Sequence, residues 1–513
     1  MSTLLARISL TVALIAACMM SPASATSEVA GALRGPIVWH VILCQFQDSA
    51  LVAKQYGSTP QPKEAPSYYQ TLFFASGVHG LQDYINSQSH GIASVSGDVH
   101  GWYTEPQTWQ SAKHKNCTPT CRRRHESDCL AAAKNPPTGT NPVTHKPYGT
   151  QPPAYTPPSG DRVYVITSPG IDIVGFENQA AVGQDWFPVP RKNGTFWVRG
   201  PTALPEIAHE FGHGIGLAHS FSNDLTWPGA GGAPGEYGNQ WDLMSAAHIF
   251  VDPTGVYGGG SPFLTVHHLD EKGWIAMNRI IDVGSDGVSP RTITLAALTH
   301  PNANGYIMAR VLFDEKDPFH YYTVEYRVAD SWDGNLTDHG KYPNKMIMIS
   351  EIRKESAFDP GSGHGSYVAQ LQRELGKYAG TDNGPPLQSL SAHGVTIDVV
   401  STAADSAVVK ISTKFKQPAT WQEYGPLGCA TGYVWRAADQ SDYVCVLPAT
   451  RDQAQADNAA AGSRHKTGSR DCKKGYVWRG AFPGDDVCVT KATRDRAQTD
   501  NAAAPSHIYK QNI

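Results

Sequence analysis

The chain predicts an α+β protein in three parts: a mixed α/β unit, an antiparallel β-sandwich-like unit, and two small cysteine-stapled repeats. Three observations carry this reading. Up to about residue 288, apolar strand-like runs alternate with helical patterns. After that, short β-rich runs follow one another, punctuated by Gly, Asn, Asp and Pro. Beyond residue 428, a 33-residue block beginning at Cys429 recurs without a gap from Cys472, a shift of 43 positions. With 513 residues, 40% of them hydrophobic, there is material for more than one core. The formal charge of −4, with both signs interspersed, leaves no electrostatic footprint for nucleic acid or an anionic membrane surface.

The N-terminus reads as an export signal over residues 1–25. Arg7 supplies the positive end, Ile8 to Met20 a short apolar stretch, and Ala23-Ser24-Ala25 a small-residue cleavage site. The stretch is short for a membrane span, and no second one is long enough, so a secreted protein without a transmembrane segment is expected. A rival reading takes Ile15-Ala16-Ala17-Cys18 as a lipobox, with the mature chain lipid-anchored through Cys18. The first core strand, Ile37 to Leu43, begins about ten residues after the cleavage site. No folded N-terminal prodomain is therefore expected.

The mixed unit is placed at residues 36–288. It holds that first strand, a helix near Gly80 to Ser89, a proline-rich surface excursion from Asn135 to Gly160, and strands at Arg162 to Thr167 and Thr195 to Val198. The β-rich unit is placed at 289–416, from the runs "RTITLAAL", "GYIMARVLF", "HYYTVEYRV", "NKMIMISEI", "GVTIDVVS" and "SAVVKIS". A linker at 417–428 then leads to repeat 1 (429–461) and repeat 2 (472–504), which read as an appendage. Each repeat has two cysteines sixteen positions apart and little apolar material, so a disulfide within each is expected. Cys117, Cys121 and Cys129, with His114 and His125 nearby, could form a second zinc site, but are read with Cys44 as disulfide partners, and the sequence leaves all three of their connectivities open. Tyr433, Trp435, Tyr476 and Trp478 have two readings: attachment to a glycan, cell wall or substrate, or the filling of two tiny cores.

One stretch carries chemistry: "HEFGHGIGLAH", residues 209 to 219. Pro205 suits the first turn of a helix, expected to run to about Leu217. His209 and His213, four apart, then project from one face as two ligands of one metal. Glu210 is turned about 100° from His209, so it is placed as a base rather than a ligand. Gly216 allows the sharp turn that returns His219 to the same ion. Three imidazoles leave one tetrahedral position for water, the arrangement of a catalytic zinc site.

Here the sequence resembles the metzincin zinc endopeptidases, with their His-Glu-x-x-His-x-x-Gly-x-x-His signature and methionine turn. The matching turn is "YGNQWDLMSA", with Met244 twenty-five residues beyond His219. Flanks such as "YINSQSHGIASVSGDVHGWY", "HHLDEKGWI" and "YYTVEYR" look most like secreted immune inhibitor A-like and gametolysin-like peptidases. The resemblance implies one catalytic Zn²⁺ on His209, His213 and His219, Glu210 as general base, and Met244 as a packing floor with Trp241 and Asp242 fixing its turn. It further implies a metzincin-like mixed α/β fold and hydrolysis of internal bonds in protein or peptide substrates. Two departures matter. His219 stands where immune inhibitor A-type members often have aspartate, and Ala246 stands where some metzincins place a zinc-facing tyrosine, so no such ligand is expected there. No loop carries a calcium-ligand pattern. The alternatives are a non-proteolytic zinc amidohydrolase, or a catalytically idle binding or adhesion protein that works through its repeats.

Overall fold

The computed structural model describes residues 33–48, 64–108, 119–168, short segments between 174 and 198, 204–223, 235–246 apart from 240, 262–334, 344–354, 367–375, 388–418 and 423–508. The expected signal segment with Cys18 lies outside the described residues, as do Cys117 and the side chain of Cys121. Among the described residues no helix is long and apolar enough to cross a membrane. The fold is α+β.

The first unit is a sheet with helices on both faces. Strand β1 (Gly35–Gln45) is followed by α1 (Pro66–Phe74), α2 (Leu81–Gln88), β2 (Ala93–Thr104), α3 (Pro119–Lys134), β3 (Arg162–Ser168), β4 (Val174–Phe176) and β5 (Gln179–Gly183). The order across the sheet is β2-β1-β3-β5-β4; its first four strands run parallel, and β4 is an antiparallel edge. Because strand side chains alternate, the central strands feed two cores. Trp39, Val41, Leu43, Tyr164 and Ile166 face α1, α2 and the metal-motif helix described below. Ile42, Cys44, Val163 and Val165 face α3, where Ala132 and Ala133 pack beside the Cys44–Cys129 disulfide. Burial on both faces explains why β1 reads as a nearly continuous apolar run.

A hairpin, β6 (Phe187–Arg191) and β7 (Gly194–Val198), precedes helix α4 (Leu204–Gly214), which carries the motif. Then follow β8 (Phe221–Ser222), α5 (Leu243–Ala246), α6 (Val266–Glu271), β9 (Ile280–Val283), β10 (Arg291–Ala296), β11 (Met308–Leu312), β12 (Tyr321–Val328), β13 (Lys345–Lys354), β14 (Tyr367–Leu375), β15 (Ser389–Ala392), β16 (Val395–Thr402) and β17 (Ser406–Ser412). These strands form two sheets, β8-β14-β13-β12-β11-β9 and β10-β17-β16-β15. One shared core joins the sheets, with Val311, Tyr322, Val324, Ile347 and Ile349 of the larger against Ile293, Leu295, Ile397, Val409 and Ile411 of the smaller. All six runs read from the sequence are strands. The larger sheet also takes β8 and β9 from the chain before residue 289, pairing each in parallel.

Two fully buried arginines fasten these units together. Arg327 on β12 forms an ion pair with Asp333 at 2.7 Å and donates to the carbonyls of Trp241 and Phe263. Arg310 on β11 pairs with Asp282 at 2.6 Å and Asp270 at 3.2 Å, and donates to the Tyr424 carbonyl at 2.6 Å. Removing one partner of such a pair strands a charge in low dielectric, which makes both hubs costly to break.

The repeats are docked rather than tethered. Tyr424 and Leu427, in the expected linker, are buried, with Tyr424 among Leu312, Tyr321 and Phe415. Tyr443 donates to the Ile275 carbonyl at 2.6 Å, and Arg34 forms a double hydrogen bond with Asp439, both at 2.7 Å. Each repeat is a two-stranded hairpin and a helix: β18 (Val434–Trp435), β19 (Cys445–Val446) and α7 (Pro448–Arg464), then β20 (Val477–Trp478), β21 (Cys488–Val489) and α8 (Lys491–His507). Disulfides Cys429–Cys445 and Cys472–Cys488 lie within the repeats, as expected.

The helices, however, are largely exchanged: α7 packs chiefly on β21 and α8 on β19, each with a lesser contact to its own hairpin at β18 or β20. Arg436 pairs with Asp442 in its own repeat and reaches the Ala497 carbonyl and Asn501 on α8; Arg479 pairs with Asp485 and reaches the Ala454 carbonyl on α7. The aromatics follow the same exchange, with His507 stacked on Tyr433 at 4.0 Å and Arg464 over Tyr476 at 5.3 Å. Trp435 donates to the Leu427 carbonyl and packs on Tyr443, while Trp478, with the equivalent bond to the Arg470 carbonyl, stays about half exposed. Three of the four aromatics thus form seams within the module. Arg436→Ala should lower stability by about 3–5 kcal/mol, because Asp442 would be left buried and unpaired. A chain lacking residues 472–508 should expose the hairpin of repeat 1 as well. Thermal unfolding of the full-length Arg436→Ala protein checks the first, and proteolysis of repeat 1 in the truncated chain the second; a repeat 1 that stays protected without repeat 2 would contradict the exchange.

Candidate metal centre

Helix α4 lies against β4 and β5 and is buried along almost its whole length. It stops earlier than the sequence suggests, at Gly214. The stop is a Schellman turn: the Leu217 N–H donates to the Gly212 carbonyl at 2.9 Å and the Gly216 N–H to the His213 carbonyl at 2.8 Å. Gly216 has φ +82°, a conformation that favours glycine. This turn carries the chain back so that His219 meets the helix face bearing His209 and His213.

All three imidazoles are buried, and one ligand atom from each lies within 4.8 Å of the others. The Nδ1 atoms are all engaged elsewhere. His209 Nδ1 is 2.8 Å from the Leu243 carbonyl, His213 Nδ1 2.8 Å from the Leu217 carbonyl, and His219 Nδ1 2.8 Å from the Glu236 carboxylate. A carbonyl or carboxylate can only accept, so each Nδ1 carries the proton and each Nε2 keeps a lone pair. Those lone pairs converge: His213 Nε2 and His219 Nε2 are 2.9 Å apart. Two bare lone pairs at that distance repel unless an electrophile lies between them. Three neutral imidazoles, oriented through their far nitrogens, match the donor set and outer hydrogen bonding of a zinc site.

The floor is built from the methionine turn. Met244 is fully buried, and a Cβ added at Gly212 would run into its Sδ. A larger residue at position 212 would push the Met244 side chain out of its place beneath the helix. Asp242 fixes the turn by accepting from Ser220 Oγ and the Thr265 N–H and by pairing with His268 at 3.0 Å, and the Trp241 carbonyl is held by Arg327. Ala246 ends α5, and its side chain is outside the described residues.

Two residues at the site went unread in the sequence. Glu236 orients His219, and Tyr237 lies over the imidazoles, its ring 4.2 Å from that of His219. Both sit on a turn where Gly235 passes under the Ser222 carbonyl and Tyr237 itself has φ +60°. The clue was the "GGAPGEYG" stretch, whose glycines announce a tight turn but not its target. Glu210 is buried beside the three histidines, and Glu206, one turn earlier, is pushed by burial up to about 8. A second cluster, Cys44, Glu105 and Cys129, cannot ligate through sulfur because its cysteines form a disulfide.

No known family model matches the chain. A search of curated proteins likewise finds no match.

Replacing Glu236 with Gln should weaken metal binding about 10–100-fold while leaving the three ligands in place, as measured by competition with a chromogenic chelator. Unchanged affinity would show that the carboxylate does not set the His219 orientation. The Asp242–His268 pair gives a pH signature. Burial opposes both charges, but pairing with His268 and the hydrogen bonds from Ser220 and Thr265 hold Asp242 low, and Asp242 in turn raises His268. The Asp242 contribution is present above about pH 3.9 and lost as pH falls through its lowered folded value; that of His268 is present below about 6.5 and lost as pH rises through its raised folded value. Asp242→Asn should therefore cost most between about pH 4 and 6.5, with the Tm difference from wild type narrowing above that range. A difference that stays flat with pH would exclude the ion pair as its source.

Proposed function

We propose that the protein is a secreted zinc-dependent endopeptidase of the metzincin type, cutting internal peptide bonds with Glu210 as general base. The observation that carries this is the convergence of three Nε2 lone pairs, each fixed by a hydrogen bond at Nδ1, with a buried carboxylate next in sequence to the first ligand. His209, His213 and His219 would hold a zinc ion, which when bound would supply Lewis acidity to a water and to the peptide carbonyl. Glu210 takes the proton of the attacking water and returns it to the leaving amine. Its burial keeps competing solvent away and strengthens that proton transfer.

A peptide rather than a small amide is favoured by the sheet. Strand β4 is an edge, paired only with β5 among the described strands, and α4 packs beside it. An extended chain can add to such an edge through backbone hydrogen bonds, which presents its internal bonds rather than its ends. The Cys44–Cys129 disulfide and those of the repeats fit an oxidising, extracellular destination.

Glu210→Ala should retain zinc and lose about 10²–10⁴ in rate, toward the upper end because one group serves two proton transfers. His213→Ala should lose both metal and activity, since two protein ligands hold a catalytic zinc poorly. Zinc content by elemental analysis and cleavage of casein against small acylated amines, on the same folded samples, test the reading. Near-normal peptidase activity in Glu210→Ala would place the base elsewhere, and hydrolysis confined to the small amines would favour an amidohydrolase.

A further inference from the structure

The exchange of helices between the repeats creates a cleft that neither repeat has alone. It lies between α7 and α8, has a volume of about 270 Å³, and is lined by equivalent residues 43 positions apart: Arg436 with Arg479, Thr450 with Thr493, Asp457 with Asp500. The aromatics singled out in the sequence do not line it. We propose that this cleft binds a neutral, hydroxyl-rich ligand, one sugar unit of a glycan, and that it is the attachment site of the protein. The proposal does not depend on the metal-site reading.

Three features of the cleft decide the ligand chemistry. The first is its charge. Arg436 is doubly bonded to Asp442 at 2.7 and 2.9 Å, Arg479 to Asp485 at 2.7 and 2.9 Å, and Arg464 reaches Asp457 at 2.6 Å. Every buried guanidinium already has a carboxylate, so an anion gains little by entering, and Arg464 on Asp457 offsets the negative charge that would draw a cation. The carboxyl of Asp500 moves the same way: burial raises it against the pull of Arg436 and Arg496, which weakens its attraction for a cation.

The second feature is unmet hydrogen-bonding capacity. Asp457 is about 2% exposed and uses Oδ1 for Arg464, while its Oδ2 has no hydrogen-bond partner. Oδ2 of Asp500 and Oγ1 of the buried Thr450 have none either. Buried polar atoms without partners are rare, because each forfeits the hydrogen bonds it had in water. Two carboxylate oxygens and a hydroxyl leave acceptors in excess, so the ligand must bring donors without bringing charge. Hydroxyl groups do this, and hydrogen bonds to a carboxylate are the stronger kind.

The third feature is size. Clefts for drug-sized ligands span about 300–1,000 Å³, so this one suits a single small unit. Its rim differs between the halves, with Gln453 on one side and Arg496 on the other, so the two ends of a bound chain are distinguishable.

The test uses the full-length protein and calorimetric titration with glucose, galactose, mannose and N-acetylglucosamine, with spermidine as a cationic probe. At least one neutral sugar should bind, and Thr450→Val and Asp457→Asn should each weaken it about tenfold or more. Asp457→Asn also removes the partner of Arg464, so unfolding is followed for both variants; Thr450→Val keeps the shape and every ion pair. Sugar binding that is unchanged in Thr450→Val and in a folded Asp457→Asn would place the site elsewhere and overturn the proposal. Binding of spermidine alone, or of nothing, would overturn it as well, in the latter case leaving the cleft to water.

Discussion

Each motif histidine is fixed at the nitrogen that points away from the centre, and much of the molecule is arranged around that requirement. The three acceptors come from different places: the Leu243 carbonyl on the methionine turn, the Leu217 carbonyl in the turn closing α4, and the Glu236 carboxylate on a glycine-rich loop. None can move without turning its imidazole. The methionine turn must therefore be held, and Asp242, Ser220 and Arg327 hold it. The α4 turn must be tight, and Gly216 makes it so. The Glu236 loop must approach closely, and Gly235 permits this.

The same requirement explains why the β-rich unit is not a separable neighbour. Strand β8 begins two residues after His219 and pairs with β14, so the larger sheet grips the chain as it leaves the site. Arg327 reaches from the middle of that sheet to the Trp241 carbonyl, and Arg310 joins β11 to α6, β9 and the Tyr424 segment. Both arginines are buried with their counter-charges, so their hydrogen bonds act in a low-dielectric setting where loss of a partner is severe.

The legible parts of the sequence were those where periodicity or spacing is itself the physics. Apolar runs marked β1, β3 and the six sandwich strands; the four-and-six spacing of histidines marked the cluster of His209, His213 and His219; and the repeat marked its own disulfides. The remainder depended on contacts distant in sequence. Strand β14, "YVAQLQREL", looks as much like a helix as a strand, and its place between β8 and β13 settles the matter. Helix α3 was obscured by its cysteines and charges, with a low apolar content along "PTCRRRHESDC". Glu236 and Tyr237 reach the site only because the Gly235 turn aims them, and turn geometry is not written in residue spacing. The helix exchange was hidden for a different reason: two identical patterns fit equally well onto their own hairpins or onto each other's.

That ambiguity has a consequence for durability under proteolysis. The chain between the repeats crosses from one half of the module to the other near Lys466 to Arg470, a surface stretch of the kind proteases cut first. A cut there would not free the second half, because α8 remains packed on β19, the Ala430 N–H still donates to the His507 carbonyl, and Arg436 still grips Asn501. The two fragments would stay together as a non-covalent pair, each with its own disulfide, and the cleft between them would survive. The C-terminal module would thus outlast being nicked at this exposed joint.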